Sequence, residues 1–279
     1  ITVDPGPIAN FSATTECEGD STLFSDGSTI DSLGGIITNW AWDFGDGPPP
    51  GTSTQDTTSY LYGQAGIYNV TLTVEDTNGC IGDTTIIVTV DTLPIANFSA
   101  TDTCQGDSTF FTNLSIGTSA IITNWNWNFG DTNTSTDPNP THLYDTAGSY
   151  NVTLTVTDSN GCIHDTTITV IVRPNPTANF YANTICEGDT TFFRDTSTIV
   201  LPLGGVITSW NWSMTDPGEG TYINGTSDTS RHPDFIYHDD GTYNVTLTVT
   251  DSNGCTDDTT ILITVDPGPI ANFSATTEC

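Results

Sequence analysis

Hydrophobic and polar residues alternate along several short stretches of this chain. In residues 68–74, one tyrosine and three aliphatic side chains fall on one face, and Asn69, Thr71 and Thr73 fall on the other. A period of two is typical of a β-strand with one buried face. Turn signals such as Gly45-Asp46-Gly47 separate these stretches, and no window of about 11 residues carries a helical stripe. The pattern therefore predicts an all-β chain of short strands.

The same pattern returns at regular intervals, which indicates tandem repeats. The sequence Pro-Ile-Ala-Asn-Phe-Ser-Ala at 7–13 returns at 94–100, loosely at 176–182, and again at 269–275. The sequence Tyr-Asn-Val-Thr-Leu-Thr-Val at 68–74 returns at 150–156 and 243–249. Residues 1–17 are identical to residues 263–279, so the chain reads as one repeat of about 262 residues followed by the start of the next.

The repeats predict three domains of one kind. Their expected bounds are 5–91, 92–173 and 174–266, with 1–4 ending a preceding repeat and 267–279 beginning the next. About 85 residues, about seven short strands and a central tryptophan favour an immunoglobulin-like β-sandwich. The expected core residues are Trp42, Trp127, Trp212, Tyr68, Tyr150 and Tyr243. Short linkers stiffened by proline at 94, 176 and 269 predict that the sandwiches stand as a rod.

Each unit carries a motif that begins at its central tryptophan. Residues 42–47 read Trp-Asp-Phe-Gly-Asp-Gly, and residues 127–131 read Trp-Asn-Phe-Gly-Asp. These motifs resemble those of the PKD (polycystic kidney disease) domain. The third unit departs from this motif, reading Trp-Ser-Met-Thr-Asp at 212–216, with an insertion-rich loop to about 232. The Cys-x-Gly-Asp and Asn-Gly-Cys signatures resemble tandem PKD repeats of giant secreted surface proteins of gliding bacteria. That resemblance implies an extracellular role in adhesion or scaffolding.

Composition excludes several classes of function. Lys and Arg total 3 against 34 Asp and Glu, giving a formal net charge of −31. Such a chain lacks the cations needed to bind nucleic acid phosphates, and an anionic membrane surface would repel it. The sequence contains no apolar run long enough for membrane insertion. The 55 threonines, which favour strands, supply much of the polarity.

Neither catalysis nor a metal site is strongly indicated. Four histidines, at 142, 164, 232 and 238, share no spacing, and no catalytic motif is present, so we expect no enzyme activity. Single, widely spaced cysteines do not fit zinc. Weak calcium candidates are Asp43, Asp46, Asp76 and Asp83, which lie beside turns. The competing interpretation is that such residues brace tight turns through the backbone.

Covalent glycans are the other expected chemistry. Asn69, Asn151 and Asn244 are sequon asparagines at equivalent outward positions of one strand. Six cysteines are followed at the third position by Asp and then by Ser or Thr, which resembles the O-glycosylation acceptor of the same gliding bacteria. The acceptors implied are Ser21, Thr84, Ser108, Thr166, Thr190 and Thr259. The competing interpretation is an Asx-turn that needs no sugar.

The cysteines recur at two positions per unit, which indicates disulfides and an oxidising compartment. Pairing within a unit would join Cys17 to Cys80, Cys104 to Cys162 and Cys186 to Cys255. Strand counting, however, places the two cysteines of one unit at opposite poles, about 20 Å apart, and a disulfide needs Cα atoms within about 7 Å. We therefore expect Cys17–Cys162 and Cys104–Cys255, with Cys80, Cys186 and Cys279 pairing to neighbouring repeats.

Together these features favour a structural repeat of an extracellular or cell-surface fibre or adhesin stalk. Its expected partners are copies of itself and its own glycans, and no cofactor beyond possible calcium is implied. The alternative hypothesis is a carbohydrate- or protein-binding accessory of a secreted hydrolase, a setting in which PKD domains also occur. Against the alternative, the paired tryptophans alternate as core residues do, so they are poorly placed to stack on sugars.

Overall fold

The computed structural model describes residues 6–30, 35–48, 50–183, 185–214 and 220–275. Within these ranges every regular element is a β-strand, and each of the three repeats contributes eight. The first repeat contains β1 (Phe11–Ala13), β2 (Glu16–Cys17), β3 (Ser21–Asp26), β4 (Ile37–Asp43), β5 (Thr52–Ser53), β6 (Thr57–Leu61), β7 (Gly66–Asp76) and β8 (Ile81–Asp91). Over the same ranges no helix is able to span a membrane.

The other two repeats follow the same order. The second contains β9 (Phe98–Ala100), β10 (Thr103–Cys104), β11 (Ser108–Asn113), β12 (Ile122–Asn128), β13 (Thr134–Ser135), β14 (Thr141–Leu143), β15 (Gly148–Asp158) and β16 (Ile163–Arg173). The third contains β17 (Phe180–Ala182), β18 (Ile185–Cys186), β19 (Thr190–Asp195), β20 (Ile207–Met214), β21 (Gly220–Ile223), β22 (Asp234–Tyr237), β23 (Gly241–Asp251) and β24 (Thr256–Asp266).

Each repeat is a sandwich of two sheets. In the first, the smaller sheet has the order β1-β3-β6 and the larger has β2-β8-β7-β4-β5. In the second, the corresponding orders are β9-β11-β14 and β10-β16-β15-β12-β13. The initial strand of a repeat lies in the smaller sheet, and the chain then crosses to a two-residue strand that pairs in parallel with the last strand of the larger sheet. This is an immunoglobulin-like arrangement, as the alternation predicts.

The third repeat distributes its edge strands differently. Its sheets have the orders β17-β19-β22-β21 and β18-β24-β23-β20. The segment after β20 thus adds β21 to the smaller sheet, where the first two repeats instead add a two-residue strand to the larger one. This segment is the insertion-rich loop at which the sequence departs from the PKD motif.

By their contacts the residues divide into two compact units. One comprises Ile1–Ser99, Thr112–Pro140 and Val152–Ile168, and the other comprises Ala100–Phe111, Thr141–Asn151 and Thr169–Cys279. The hydrophobic core of the first repeat lies within the former, and that of the third lies within the latter.

A buried tryptophan anchors each core. Trp42, Trp127 and Trp212 are 1%, 0% and 3% exposed. The Trp42 ring meets Phe11 edge to face, with ring centroids 5.0 Å apart. Its Nε1–H donates to the carbonyl of Gln55 over 2.7 Å, and the other two tryptophans make the same kind of bond to backbone carbonyls at 2.8 Å. The polar atom is thereby satisfied, so the whole indole can be buried.

The three predicted core tyrosines are only partly in the core. Tyr243 is 4% exposed, whereas Tyr68 and Tyr150 are half-buried. The hydroxyl of each donates to the backbone carbonyl four residues earlier, which holds the ring at the sandwich margin. Sequence reasoning missed the buried tyrosines that stack on them, although all three precede their partners by six residues: Tyr62, Tyr144 and Tyr237.

Replacing the central tryptophan should unfold its own domain preferentially. We expect Trp127→Ala to lower the free energy of unfolding by about 3–5 kcal/mol, because the change removes a fully buried side chain and leaves a cavity. The free energy of unfolding is measured by urea denaturation and, in a second experiment, by calorimetry. The exposed Ile121→Ala serves as the control and should change the same quantity by less than about 0.5 kcal/mol. Equal effects of the two substitutions would contradict the assigned core.

Candidate functional site: the cysteine hairpins

A tight hairpin turn precedes the last strand of each repeat. Between β7 and β8, the Asp76 Oδ1 accepts hydrogen bonds from the N–H groups of Asn78 and Cys80, at 2.8 and 2.9 Å. The Asp76 N–H in turn donates to the Cys80 carbonyl over 3.0 Å. Gly79 has a φ of 79°, a left-handed conformation that glycine adopts without strain. The carboxylate therefore fixes the backbone of the cysteine.

The other two hairpins are built in the same way. Asp158 accepts from the N–H of Cys162 at 2.9 Å, and Asp251 accepts from that of Cys255 at 2.9 Å. These aspartates are 2% and 3% exposed, so the Oδ1 atom of each accepts from the backbone in place of water. Sequence reasoning considered Asp76 only as a calcium candidate and missed its two equivalents. Their signal is an aspartate four residues before each hairpin cysteine.

The titration of Asp251 reflects this environment. Burial by itself raises the pKa of this carboxyl, but hydrogen bonds from the N–H groups of Gly205, Cys255 and Asn253 outweigh it. The pKa therefore lies below its ordinary value. The ionised form is the one that holds the hairpin.

The other cysteine of each repeat lies at the far end of the same last strand. Cys17 pairs with Asp91, the final residue of β8, whereas Cys80 immediately precedes the first residue of that strand. An 11-residue strand spans about 36 Å, far more than the roughly 7 Å that a disulfide allows between Cα atoms. The separation exceeds the 20 Å expected from sequence because that distance assumes strands of about six residues, and β8 has 11. Pairing within a repeat is excluded by this distance.

The structure instead joins consecutive repeats. Cys17 is bonded to Cys162, and Cys104 to Cys255, with Cα–Cα distances of 5.6 Å in both. These are the two pairs that strand counting predicts. Cys162 and Cys255 are 0% and 1% exposed, so each disulfide is largely shielded from solvent. Each links the first loop of one repeat to the hairpin of the next.

The remaining cysteines occupy the same two kinds of position. Cys186 pairs with the last residue of β24, as Cys17 pairs with that of β8, and it is half-buried without a disulfide. Cys80 is half-buried in its hairpin, and Cys279 lies outside the described residues. Their pairing to neighbouring repeats stays a prediction.

In the second and third repeats, the residue two places after the hairpin cysteine ties the hairpin to its own repeat. His164 Nδ1 accepts from the N–H of Ala96 at 3.1 Å, and Asp257 Oδ2 accepts from that of Ala178 at 2.8 Å. At the equivalent Gly82, a Cβ atom would collide with the carbonyl oxygen of Pro7. The contacts of His164 are thus structural, and the sequence provided no signal for them.

Three of the four calcium candidates, Asp43, Asp46 and Asp76, brace turns. Asp43 accepts from the N–H of Gly45 at 2.9 Å. Asp46 accepts from the Tyr60 hydroxyl and the Gly51 N–H, which lower its pKa, while the same contact raises the pKa of Tyr60 to about 12. Asp83 is exposed. Within the described ranges, no group of three or more His, Cys, Asp or Glu is arranged to hold a metal ion.

The glycan candidates divide by strand face. Asn69, Asn151, Asn244, Ser21 and Ser108 are exposed. Thr190 is half-buried, on the outward side of its strand.

Three of the threonine candidates face the core. Thr84 and Thr259 lie opposite the fully buried Leu72 and Leu247, and Thr166 is likewise half-buried. These three side chains are less accessible than those of Ser21 and Ser108, because the third position after a hairpin cysteine is an outward aspartate and the following residue turns inward. Glycosylation at these sites stays a prediction.

Comparison with known proteins identifies the repeats. A family model described as PKD domain matches residues 4–90, 91–172 and 173–265. A pre-pro-metalloprotease, PrtV, of Vibrio cholerae serotype O1 is 34% identical over 170 residues, which is 60% of this chain and 17% of that protein. A microbial collagenase of Vibrio alginolyticus is 42% identical over 82 residues, covering 27% of this chain and 10% of its own length.

One solved structure is similar to part of the chain. The crystal structure of the PKD1 domain from Vibrio cholerae metalloprotease PrtV is 39% identical, covers 29% of this chain and 96% of that domain, and has a TM-score of 0.27. The chain thus spans less than a fifth of the length of the curated relatives it matches.

Removing the hairpin carboxylate should weaken the hairpin that carries the disulfide. Asp158→Ala leaves the N–H groups of Asn160 and Cys162 without acceptors, so we expect a loss of about 2–4 kcal/mol in the free energy of unfolding. Urea denaturation measures it. The matched control is the exposed Asp165→Ala, which removes the same charge and should cost less than about 0.5 kcal/mol. A loss no larger than that of the control would show that the carboxylate does not organise the turn.

The depressed pKa of Asp251 predicts acid sensitivity. Its stabilising contribution is present above the pKa of the unfolded chain and is lost as pH falls through the lower pKa of the folded one. Thermal unfolding between about pH 6 and pH 2 should therefore show the third domain losing stability below about pH 4. Asp251→Asn cannot ionise and should show a smaller decline over that range. An identical decline in the unmodified chain and in Asp251→Asn would contradict the stabilising role assigned to the ionised Asp251.

Proposed function

This chain belongs to the PKD domain family, with three tandem domains over residues 4–265, and on that premise we propose that it is a structural repeat of an extracellular fibre or long adhesin stalk. The observation that carries the proposal is the pair of disulfides between consecutive domains. Bonds of this kind fix the spacing of neighbours, which serves a stalk more directly than it serves a binding site.

The location follows from the same bonds. Disulfides form and persist in oxidising compartments, so two of them support an extracellular or cell-surface setting. The net charge of −31 keeps separate chains apart through mutual repulsion and favours solubility. Sugars on the exposed acceptors Ser21 and Ser108, or on the exposed sequon asparagines, would extend this hydrophilic coat.

Copies of the chain are the partners that the repeat implies. Residues 263–279 repeat the sequence that in the first domain provides β1 and β2, so the same fold is expected to begin again there. Cys186 occupies the position of Cys17 and Cys104, and its proposed partner is the hairpin cysteine of the following domain.

A second candidate function is favoured by the relatives. A metalloprotease and a collagenase carry the matching domains, so these domains would then be binding accessories of a secreted hydrolase. Exposed aromatic side chains that could contact a carbohydrate or protein are Phe110 and Tyr181, which are 57% and 60% exposed. Catalysis by this chain is not part of either proposal.

Imaging of the native material tests the proposal. Antibodies raised against this chain, used for immunogold electron microscopy of intact producing cells, should label filaments repeatedly along their length. Label confined to single particles that also carry hydrolase activity would support the accessory role instead.

Intact mass tests the proposed sugars separately. The natively produced segment should exceed the 29.7 kDa of the bare polypeptide, and peptide mapping should place the excess on Ser21 or Ser108 rather than on Thr84. A mass equal to that of the bare polypeptide would refute glycosylation while leaving the fibre untouched.

A further inference from the structure

The two disulfides interleave along the chain. The first joins Cys17 to Cys162 and the second joins Cys104 to Cys255, so the second begins inside the loop closed by the first, and the first ends inside the loop closed by the second. The closed loops are long, with sequence separations of 145 and 151 residues. Each loop contains most of two domains. A force applied to the chain therefore has covalent routes that avoid most of the polypeptide.

One such route is very short. From Cys17 it crosses the disulfide to Cys162 and then follows β16 and the next domain's first strands to Cys186. This route contains about two dozen residues and can extend to about 80 Å, whereas the direct backbone from Cys17 to Cys186 could extend to almost 600 Å. The disulfide thus removes most of the length that unfolding could release.

Most of this short route is already extended in the folded protein. It contains the 11 residues of Ile163–Arg173 and the short strands Phe180–Ala182 and Ile185–Cys186. A strand rises about 3.3 Å per residue, close to the limit of a stretched chain. Loss of the core would therefore lengthen the strand portions very little.

We propose that the interleaved disulfides limit how far the array can be stretched, because they carry tension from each domain to the next through short covalent routes that leave out most of the polypeptide. The proposal rests on the fibre function proposed above, because the fibre is the source of tension. The pattern of disulfide bonds does not depend on that function. In a fibre in which Cys186 continues the pattern, every second domain would be crossed by the same kind of short route.

Single-molecule force spectroscopy with handles at the two chain ends tests the proposal. With both disulfides intact, the shortest covalent route runs from Cys17 to Cys162, back to Cys104 and on to Cys255. It contains about 100 residues, so full unfolding should stop at about 340 Å. After reduction the same chain should extend to about 950 Å, almost threefold further. An oxidised chain that extends as far as the reduced one would overturn the proposal.

Paired cysteine variants identify which bonds are responsible. C17S/C162S and C104S/C255S each keep one interdomain disulfide, and each should stop at a route of about 130 residues, or about 450 Å. If the cysteines instead paired within domains, C17S/C162S would lose two bridges and extend over about 210 residues, which would refute the topology. Contour length depends on bonds rather than on folding, so an unfolded variant still gives an answer. If the oxidised chain has the short contour length but the native material forms no filaments, the proposed fibre role is refuted and the proposal about the disulfides stands.

Discussion

The length of the last strand in each domain governs the arrangement of the cysteines. Because β8, β16 and β24 each have 11 residues, the hairpin cysteine and the first-loop cysteine stand at opposite ends of a domain. Neither can reach the other, and each is presented where a neighbouring domain begins or ends. A shorter strand would allow closure within the domain, and the links between domains would be lost. The buried aspartate of the hairpin supports this arrangement by holding one of the two cysteines in position.

Much of this was accessible from the sequence, since alternation and repetition are direct consequences of strand geometry and tandem folding. The sandwich, the buried tryptophans and the two disulfide pairs follow from them. The strand lengths were underestimated because the apolar alternation covers only part of each strand. In β8, the strand continues through polar residues such as threonine, which the hydrophobic pattern does not mark as strand. The domain bounds set from the sequence stay predictions. The role of His164 in binding the Ala96 N–H could not be foreseen, since it depends on a contact between residues far apart in the chain.

The third domain shows how the scaffold tolerates variation. It exchanges an edge strand between its sheets yet keeps the hairpin, the tryptophan and the first-loop position unchanged. Two of the three arginines lie here, and their ion pairs join β19 to the segment that carries the insertion: Arg194 with Asp234 at 3.3 Å and Arg231 with Asp195 at 3.1 Å. In a chain with only three Lys and Arg residues, these two ion pairs connect β19 to the segment from Arg231 to Asp234 that follows the inserted loop.

The long reach of the disulfides also sets an order of events during synthesis. When the first domain emerges, Cys17 has no partner within its reach, because Cys162 belongs to the hairpin of the next domain. Domains generally fold in the order in which they are made, so each first-loop thiol stays reduced until one further domain has been synthesised. Folding of the sandwich protects the thiol in that interval, since it carries the same domain's hairpin cysteine out of reach. Oxidation is thereby delayed until the neighbour has folded, and each completed bond records that two successive domains have reached their native state.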